Sequence, residues 1–166
     1  MNMSHACDVS RDTGYSNVCQ ICRVPLDAGY FDVAGIKDAP KEIGEEVEAA
    51  RYQLNPQYCG TLLYFTQYAE DASKCQVISH TPGYEWVILC NNQPRAPYLP
   101  TNLILNPWGY NALPIHLRLE EGCTLRFVVR KVYLPAGEPV NLSQVGGRLL
   151  GRTWYNTIYG GTPNRL

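Results

Sequence analysis

The chain has 166 residues, enough for one domain with a single core and short of the length at which two independent domains are expected. Charged residues make up 17%, against roughly 25% in an average soluble domain, and the net charge of −1 argues against nucleic acid as the main partner. No apolar run is long enough to span a membrane or to act as a secretion signal, so we expect a chain made and kept in a cytosol.

Charge is distributed unevenly along the chain. Residues 1–50 hold nine acidic and four basic side chains, whereas residues 111–166 hold three acidic and seven basic ones. An acidic head and a basic tail can pair within one subunit, or head to tail between copies, where complementary charge fixes the register of association. A neutral globule with solvated charges is the alternative interpretation.

Residues 1–57 are predicted to form an extended N-terminal arm, because polar and turn-forming residues dominate the first 37 positions. Within the arm, Asp38 is a candidate N-cap and Pro40 suits a first helical turn. Ile43, Val47 and Ala50 follow at helical spacing, which predicts one short helix near residues 40–50. An arm of this composition cannot order itself, so we expect neighbouring molecules to hold it.

Seven cysteines are present, and without a secretion signal we expect free thiols. We therefore predict no bridge among the four that lie in or beside apolar runs, which are Cys59, Cys75, Cys90 and Cys123. The other three lie close to a histidine in a group with the residue types of a zinc site: His5, Cys7, Cys19 and Cys22. A solitary C-x-x-C is common by chance, so we assign neither a metal nor a cofactor.

From residue 58 onward the hydrophobic pattern alternates with a period of two, and the segments are short. Turn-forming residues separate the predicted strands, which cover 61–67, 75–80, 85–90, 102–105, 115–119, 124–133 and 148–155. Short strands at regular spacing with almost no helix predict an all-β antiparallel sandwich over residues 58–166, most simply a jelly roll.

Two of these strands show the alternation most clearly. Apolar side chains at 115, 117 and 119 alternate with His116 and Arg118, and apolar side chains at 125, 127 and 129 alternate with Arg126 and Arg130. We predict a hairpin with one core face. The opposite face, with its three arginines, is then solvent or an interface with an acidic partner. His116 is interpreted as a surface residue.

An aromatic loop between residues 95 and 110 is the other candidate contact surface. It combines three prolines with Tyr98, Trp108 and Tyr110. A stiff loop loses little entropy on binding, so it suits a subunit interface or a carbohydrate platform. A lid over one end of the sandwich is the structural alternative.

The runs PIHLRLEEGCTLRFVVR at 114–130 and GRLLGRTWY at 147–155 carry a resemblance. Over residues 58–155 the chain resembles the β-sandwich structural proteins of tailed bacteriophage virions, such as capsid decoration (cement) proteins and tail or fibre proteins. The resemblance implies a jelly-roll body that coats or joins other virion subunits, with a terminal arm reaching a neighbour. The cysteine-bearing arm has no counterpart in that pattern.

We find no catalytic motif in the sequence and expect a non-enzymatic structural protein. It would be made in a host cytoplasm and located in the virion, with copies of itself and a capsid or tail protein as partners. A carbohydrate-binding jelly-roll module is the alternative, with sugar-stacking candidates Trp86, Trp108, Tyr98, Tyr110 and Trp154. A cupin-like enzyme would need metal ligands beyond His80 and His116.

Overall fold

The computed structural model describes residues 24–25, 28–78, 80–94, 113–135, 137 and 139–155, and over these ranges the chain is all-β, with antiparallel strand pairs and no helix. The all-β prediction is confirmed. The strands are β1 (Gly29–Asp38), β2 (Glu46–Gln53), β3 (Tyr58–Asp71), β4 (Gln76–Val77), β5 (Tyr84–Cys90), β6 (Gln93–Pro94), β7 (Leu113–Leu119), β8 (Thr124–Lys131) and β9 (Leu142–Tyr155). The strand predicted over 102–105 lies outside the described residues.

The strands are divided between two sheets. In the first sheet the order is β1-β9-β3, and β3 then pairs with β7 near one end and with β4 near the other. In the second sheet the order is β2-β8-β5-β6. Most connections therefore carry the chain from one sheet to the other.

One hydrophobic core lies between the two sheets. The ring of Phe127 on β8 meets Phe65 on β3 edge to face, with centroids 5.6 Å apart, and lies 5.7 Å from Trp86 on β5. At the β1 and β2 edge, Phe31 stacks on Tyr52 at 4.1 Å. The contacts of Phe127 with Phe65 and of Phe31 with Tyr52 each join one sheet to the other, so the architecture is sandwich-like.

The helix predicted near residues 40–50 is wrong, because residues Glu46–Gln53 form β2. Val47 and Ala50 have the spacing of one helix face. Polar and apolar residues also alternate from Glu46 to Ala49, as in a strand. Hydrogen bonding to β8 stabilises the strand. The chain enters β2 through a turn that has Gly44 at a φ of 86°. The carboxylate of Glu45 accepts hydrogen bonds from the backbone N–H groups of residues 41 and 42.

The described part of the predicted arm lies within both sheets. β1 pairs with β9 over its full length, from Gly29 opposite Thr153 to Asp38 opposite Gln144. β2 pairs with β8. Ala39 and Leu54, which flank these strands, are buried in the shared core. Residues from Phe31 onward thus contribute to the same core as the strands of residues 58–155.

The predicted hairpin of β7 with β8 is also wrong, although its alternation is correct. β7 pairs with β3 in the first sheet, and β8 pairs with β2 and β5 in the second. The turn between them closes with the hydrogen bond from Cys123 N–H to Glu120 C=O at 3.1 Å and crosses between the sheets. Two strands in facing sheets show the same alternation of inward apolar residues as two strands of one hairpin. The sequence pattern therefore cannot distinguish a hairpin from a crossing between sheets.

The prediction of free thiols fails for Cys90 and Cys123, which form a disulfide. Their Cα atoms are 6.3 Å apart at one end of the second sheet, and both side chains are buried. The cause is the pairing of β5 with β8, which places Cys90 opposite Leu125 and next to Cys123. Cys59 is also disulfide-bonded, and Cys75 is a free, exposed thiol.

Candidate interaction surfaces

Arg126 and Arg130 lie on the outer face of the second sheet, the side opposite the core, as the alternation predicted. Each of them binds a glutamate of the neighbouring β2. Arg126 Nε lies 2.5 Å from Glu48 Oε2, and Arg130 Nε donates to Glu46 Oε1 at 2.7 Å. Arg126 also donates to the side-chain oxygen of Asn92 at 2.8 Å. The acidic groups expected on a partner are thus already supplied within the chain.

Arg118 does not join the other two arginines. It lies on β7 in the first sheet, opposite Thr61 of β3, and is partly buried. The three arginines predicted to share one surface therefore divide into a pair on the second sheet and a single residue on the first.

A third ion pair links the acidic head to the basic tail on the first sheet. Arg148 Nε donates to Asp32 Oδ1 at 2.7 Å, and its Nη2 donates to the second carboxylate oxygen. These hydrogen bonds lower the pKa of Asp32 and raise that of Arg148. Asp32, Glu46 and Glu48 all pair with arginines from the last third of the chain, so this charge asymmetry is matched within one subunit.

The outer face of the second sheet also has an apolar part that the sequence pattern did not indicate. Val87, Leu89 and Val128 are buried and form a small cluster opposite the main core. The arginine face was expected to be solvent or an interface with an acidic partner, but at its centre Val87 of β5 lies opposite Val128 of β8, and both are buried.

The outer face of the first sheet exposes large apolar side chains. Tyr30 is 73% exposed, Ile36 58% and Tyr64 41%. The Arg152 guanidinium lies 4.2 Å from the centre of the Tyr30 ring, and its Nη1 donates to the Tyr30 hydroxyl at 3.1 Å. A cation over an aromatic face stabilises the ring in one orientation. Tyr30 is thus exposed, and Arg152 holds its ring in place.

A shallow hollow of about 580 Å³ opens on this same face. Its walls include Ala34, Ile36, Thr66, Tyr68 and Arg148. Gly35 of β1 and Gly147 of β9 also line it, and at the adjacent Gly146 a Cβ would lie 2.8 Å from Gly35 O and 3.0 Å from Ile36 Cγ1. We name this feature the outer hollow. Sequence reasoning missed it because β1, β9 and β3 build it together, although the Gly146-Gly147 pair within a strand was a signal.

A second exposed apolar pair lies at the end of the molecule where β1 connects to β2. Ile43 is 66% exposed in that loop, and Tyr133 is 70% exposed just after β8. The two segments are joined by the backbone hydrogen bond from Gly44 N–H to Lys131 C=O at 2.8 Å. The hydrogen bonds that the Glu45 carboxylate accepts from the N–H groups of Glu42 and Lys41 hold the loop and lower the pKa of Glu45.

Several residues singled out in the sequence lie outside the described residues. These are the aromatic loop residues Tyr98, Trp108 and Tyr110 and the zinc candidates His5, Cys7, Cys19 and Cys22. Of the other sugar-stacking candidates, Trp86 is 1% exposed and Trp154 8% exposed, so neither ring offers a face to a ligand. The Trp86 Nε1–H donates to the hydroxyl of Thr81 at 3.2 Å.

In the part of the chain that the structure describes, no three His, Cys, Asp or Glu side chains are grouped so that they could hold a metal ion. His80 and His116 are both exposed. Over the same residues, there is no helical segment with the length and hydrophobicity needed to cross a bilayer.

No protein-family model and no curated protein matches this chain.

Proposed function

We infer that the two sheets form a jelly roll. The first half of the described chain pairs with the second half in reverse order: β1 with β9, β2 with β8, β3 with β7, and β5 with β6. Such a pattern is a long two-stranded ribbon folded across both sheets. Two additional strand pairs, β3 with β9 and β5 with β8, join successive parts of this folded ribbon within each sheet. Eight strands in two four-stranded sheets are the jelly-roll arrangement, and the two-residue β4 is an addition to it.

We propose that the chain is a non-enzymatic structural protein of a tailed-phage particle, which decorates or cements the capsid or joins tail components. The strand order carries this proposal, because the jelly roll is a fold of viral capsid domains as well as of lectins and cupins. Since a fold hosts several functions, surfaces must discriminate among them. The runs at 114–130 and 147–155 that resemble virion proteins correspond to β7, β8 and the second half of β9.

The exposed apolar side chains support an assembling protein. Tyr30, Ile36 and Tyr64 lie on one sheet face, and Ile43 and Tyr133 lie at one end. Tyrosine and aliphatic residues on an otherwise weakly charged surface are typical of protein interfaces. Copies of the chain and a capsid or tail protein are the partners that such surfaces would contact.

The proposal is tested on particles purified from the host that carries the gene. Particles banded on a density gradient are analysed by quantitative mass spectrometry, and a cytosolic host enzyme serves as the carry-over control. We expect the chain at a fixed ratio to the major shell or tail protein through repeated banding. A chain that is lost with the host enzyme on the second gradient would contradict a particle role.

Carbohydrate binding is the second candidate function, and one observation favours it. Tyr30 and Tyr64 expose their rings on the sheet face that also has the outer hollow, and sugar rings stack on such platforms. A glycan array with the intact chain tests it, with Tyr64→Ala as the variant and Tyr133→Ala as the matched control. Binding that Tyr64→Ala abolishes and Tyr133→Ala preserves would support a glycan site, whereas no bound glycan would reject it.

A further inference from the structure

β1 is a long edge strand whose outer side has no strand partner among the described residues. It has ten residues and pairs with β9 without any register shift. An unpaired row of backbone N–H and C=O groups is a template for another strand, and native proteins usually obstruct it.

The other sheet edges show such obstructions. β2 has a bulge between Glu48 and Ala50, together with charged side chains at 46, 48 and 51. β4 and β6 have only two residues each, and β7, which pairs only with β3, contains Pro114 and meets β3 across a register shift. β1 has neither a bulge nor a proline, and its central charge, Asp32, is neutralised by Arg148. Of the described edges, β1 is thus the one suited to pairing.

The side chains of β1 are arranged symmetrically about Val33. Tyr30 and Ile36 lie three residues to either side, both on the outer face and both exposed. Two copies of β1 paired antiparallel about Val33 would place Tyr30 of each copy opposite Ile36 of the other. Aromatic and β-branched residues form favourable cross-strand pairs, and the same register sets Asp32 opposite Ala34, with no like charges facing. Self-complementarity of this kind is what a two-fold interface requires.

The outer hollow adds an apolar surface at the required place. Ile36 forms one wall of the hollow, so the Tyr30 ring of a second copy would lie beside it. Arg152 already orients the Tyr30 ring on its own subunit, which lowers the entropy lost when the ring is buried.

We propose that two copies of this chain associate through β1, antiparallel and centred on Val33, so that their first sheets become one continuous sheet. This deepens the proposed function by naming the contact between copies, and it has its own test. Particle mass spectrometry decides the particle role, whereas the oligomeric state of the purified chain decides the β1 contact.

A charge exchange tests the register. In Tyr30→Glu with Ile36→Glu, like charges would face each other twice, and we expect the dissociation constant in sedimentation velocity to rise about tenfold or more. In Tyr30→Glu with Ile36→Lys, opposite charges would face each other, and the dimer should return. Tyr133→Glu, equally exposed elsewhere, should behave as the unmodified chain. A monomeric unmodified chain, or two double variants that dimerise equally, would overturn the proposal.

Cysteine cross-linking gives a second readout, in a Cys75→Ser background. In the proposed register Val33→Cys faces its own copy within disulfide reach, whereas Ala34→Cys is displaced from its copy by two residues, about 7 Å along the strand. We expect a covalent dimer on a non-reducing gel for Val33→Cys and none for Ala34→Cys. The reverse pattern, or no dimer with either, would exclude this register.

Discussion

Glu46 and Arg130 lie directly opposite each other on β2 and β8, although 84 residues separate them in the chain. Glu48 with Arg126 and Asp32 with Arg148 also pair across neighbouring strands, but diagonally, because Glu48 lies opposite Val128 and Asp32 opposite Leu150. The acidic first part and the basic last part of the sequence are thus adjacent strands of the same two sheets. Of the two arrangements open to a charge-polarised chain, the structure has the pairing within one subunit.

Replacement of these arginines is expected to have small effects. The side chains of Arg130 and Glu46 are 43% and 38% exposed, and exposed ion pairs contribute about 1 kcal/mol or less. Arg126→Ser and Arg130→Ser should each lower the melting temperature slightly, and Arg51→Ser, 3.9 Å from Glu48, serves as the control. Circular dichroism melting measures this. A loss as large as that of a core truncation would show that the outer-face assignment of these residues is wrong.

The pattern of alternation let the sequence predict which side of a strand faces the core, but not which strands are neighbours. Leu117, Leu125 and Phe127 are buried as predicted. The strand of Leu117 nevertheless lies in a different sheet from the strand of Leu125 and Phe127. Which strands become neighbours depends on how the whole chain folds across the two sheets. The sequence of β2 also fits a helix, and the strand forms for a related reason, because its hydrogen-bond partner β8 lies far along the chain.

The candidate surfaces were harder to predict than the fold. Arg126 and Arg130 were placed on the correct face, but their partners Glu48 and Glu46 could be found only once β2 was known to be a strand. The outer hollow needs three strands, β1, β9 and β3, none of which follows another directly in sequence. The Cys90 and Cys123 disulfide likewise depends on the pairing of β5 with β8.

Gly147 is predicted to be sensitive to any added side chain. A Cβ at this position would overlap the ring of Phe127, whereas a Cβ on Gly29 of β1 would have neighbours no closer than 3.9 Å. Overpacking of a close-packed core costs about 1–3 kcal/mol, so Gly147→Ala should destabilise the chain and Gly29→Ala should not. Urea denaturation of both variants measures the difference. Equal midpoints would contradict the close approach of β9 to β8.

The stability of the chain is expected to fall in acid. Three carboxylates accept hydrogen bonds in the folded chain, and each of them has a lowered pKa. Asp32 accepts from Arg148, and Glu45 accepts from the N–H groups of Glu42 and Lys41. Asp71 accepts from the hydroxyl and the N–H of Ser73. The folded chain therefore binds fewer protons than the unfolded chain. Its stabilisation is complete above the ordinary values of 3.8 for Asp and 4.5 for Glu, and is lost as the pH falls through the lowered pKa values.

Urea midpoints measured from neutral pH downward test this, with Asp32→Asn as the variant. Asp32→Asn should be less stable than the unmodified chain at neutral pH and should lose less stability on acidification, because its amide cannot be protonated in this range. A chain whose stability rises on acidification, or an identical acid dependence in the variant, would show that these carboxylates do not have lowered pKa values.

Thiol counting tests the disulfides. Two disulfides, one with Cys90 and Cys123 and one with Cys59, occupy four of the seven cysteines, so at most three free thiols should react in the denatured, unreduced chain. Peptide mapping should join Cys90 to Cys123 and leave Cys75 free. Seven reactive thiols would restore the expectation drawn from the sequence.

The strand order from which we infer a jelly roll, and on which the proposed function depends, is tested most directly by cross-strand nuclear Overhauser effects in the isotope-labelled full chain. We predict backbone contacts between Phe31 and Gly151, and between Glu46 and Arg130, which connect the first strands to the last. Their absence, together with random-coil chemical shifts over residues 29–53 while residues 58–155 remain folded, would show that the N-terminal part is an arm outside the sandwich and would contradict the strand order.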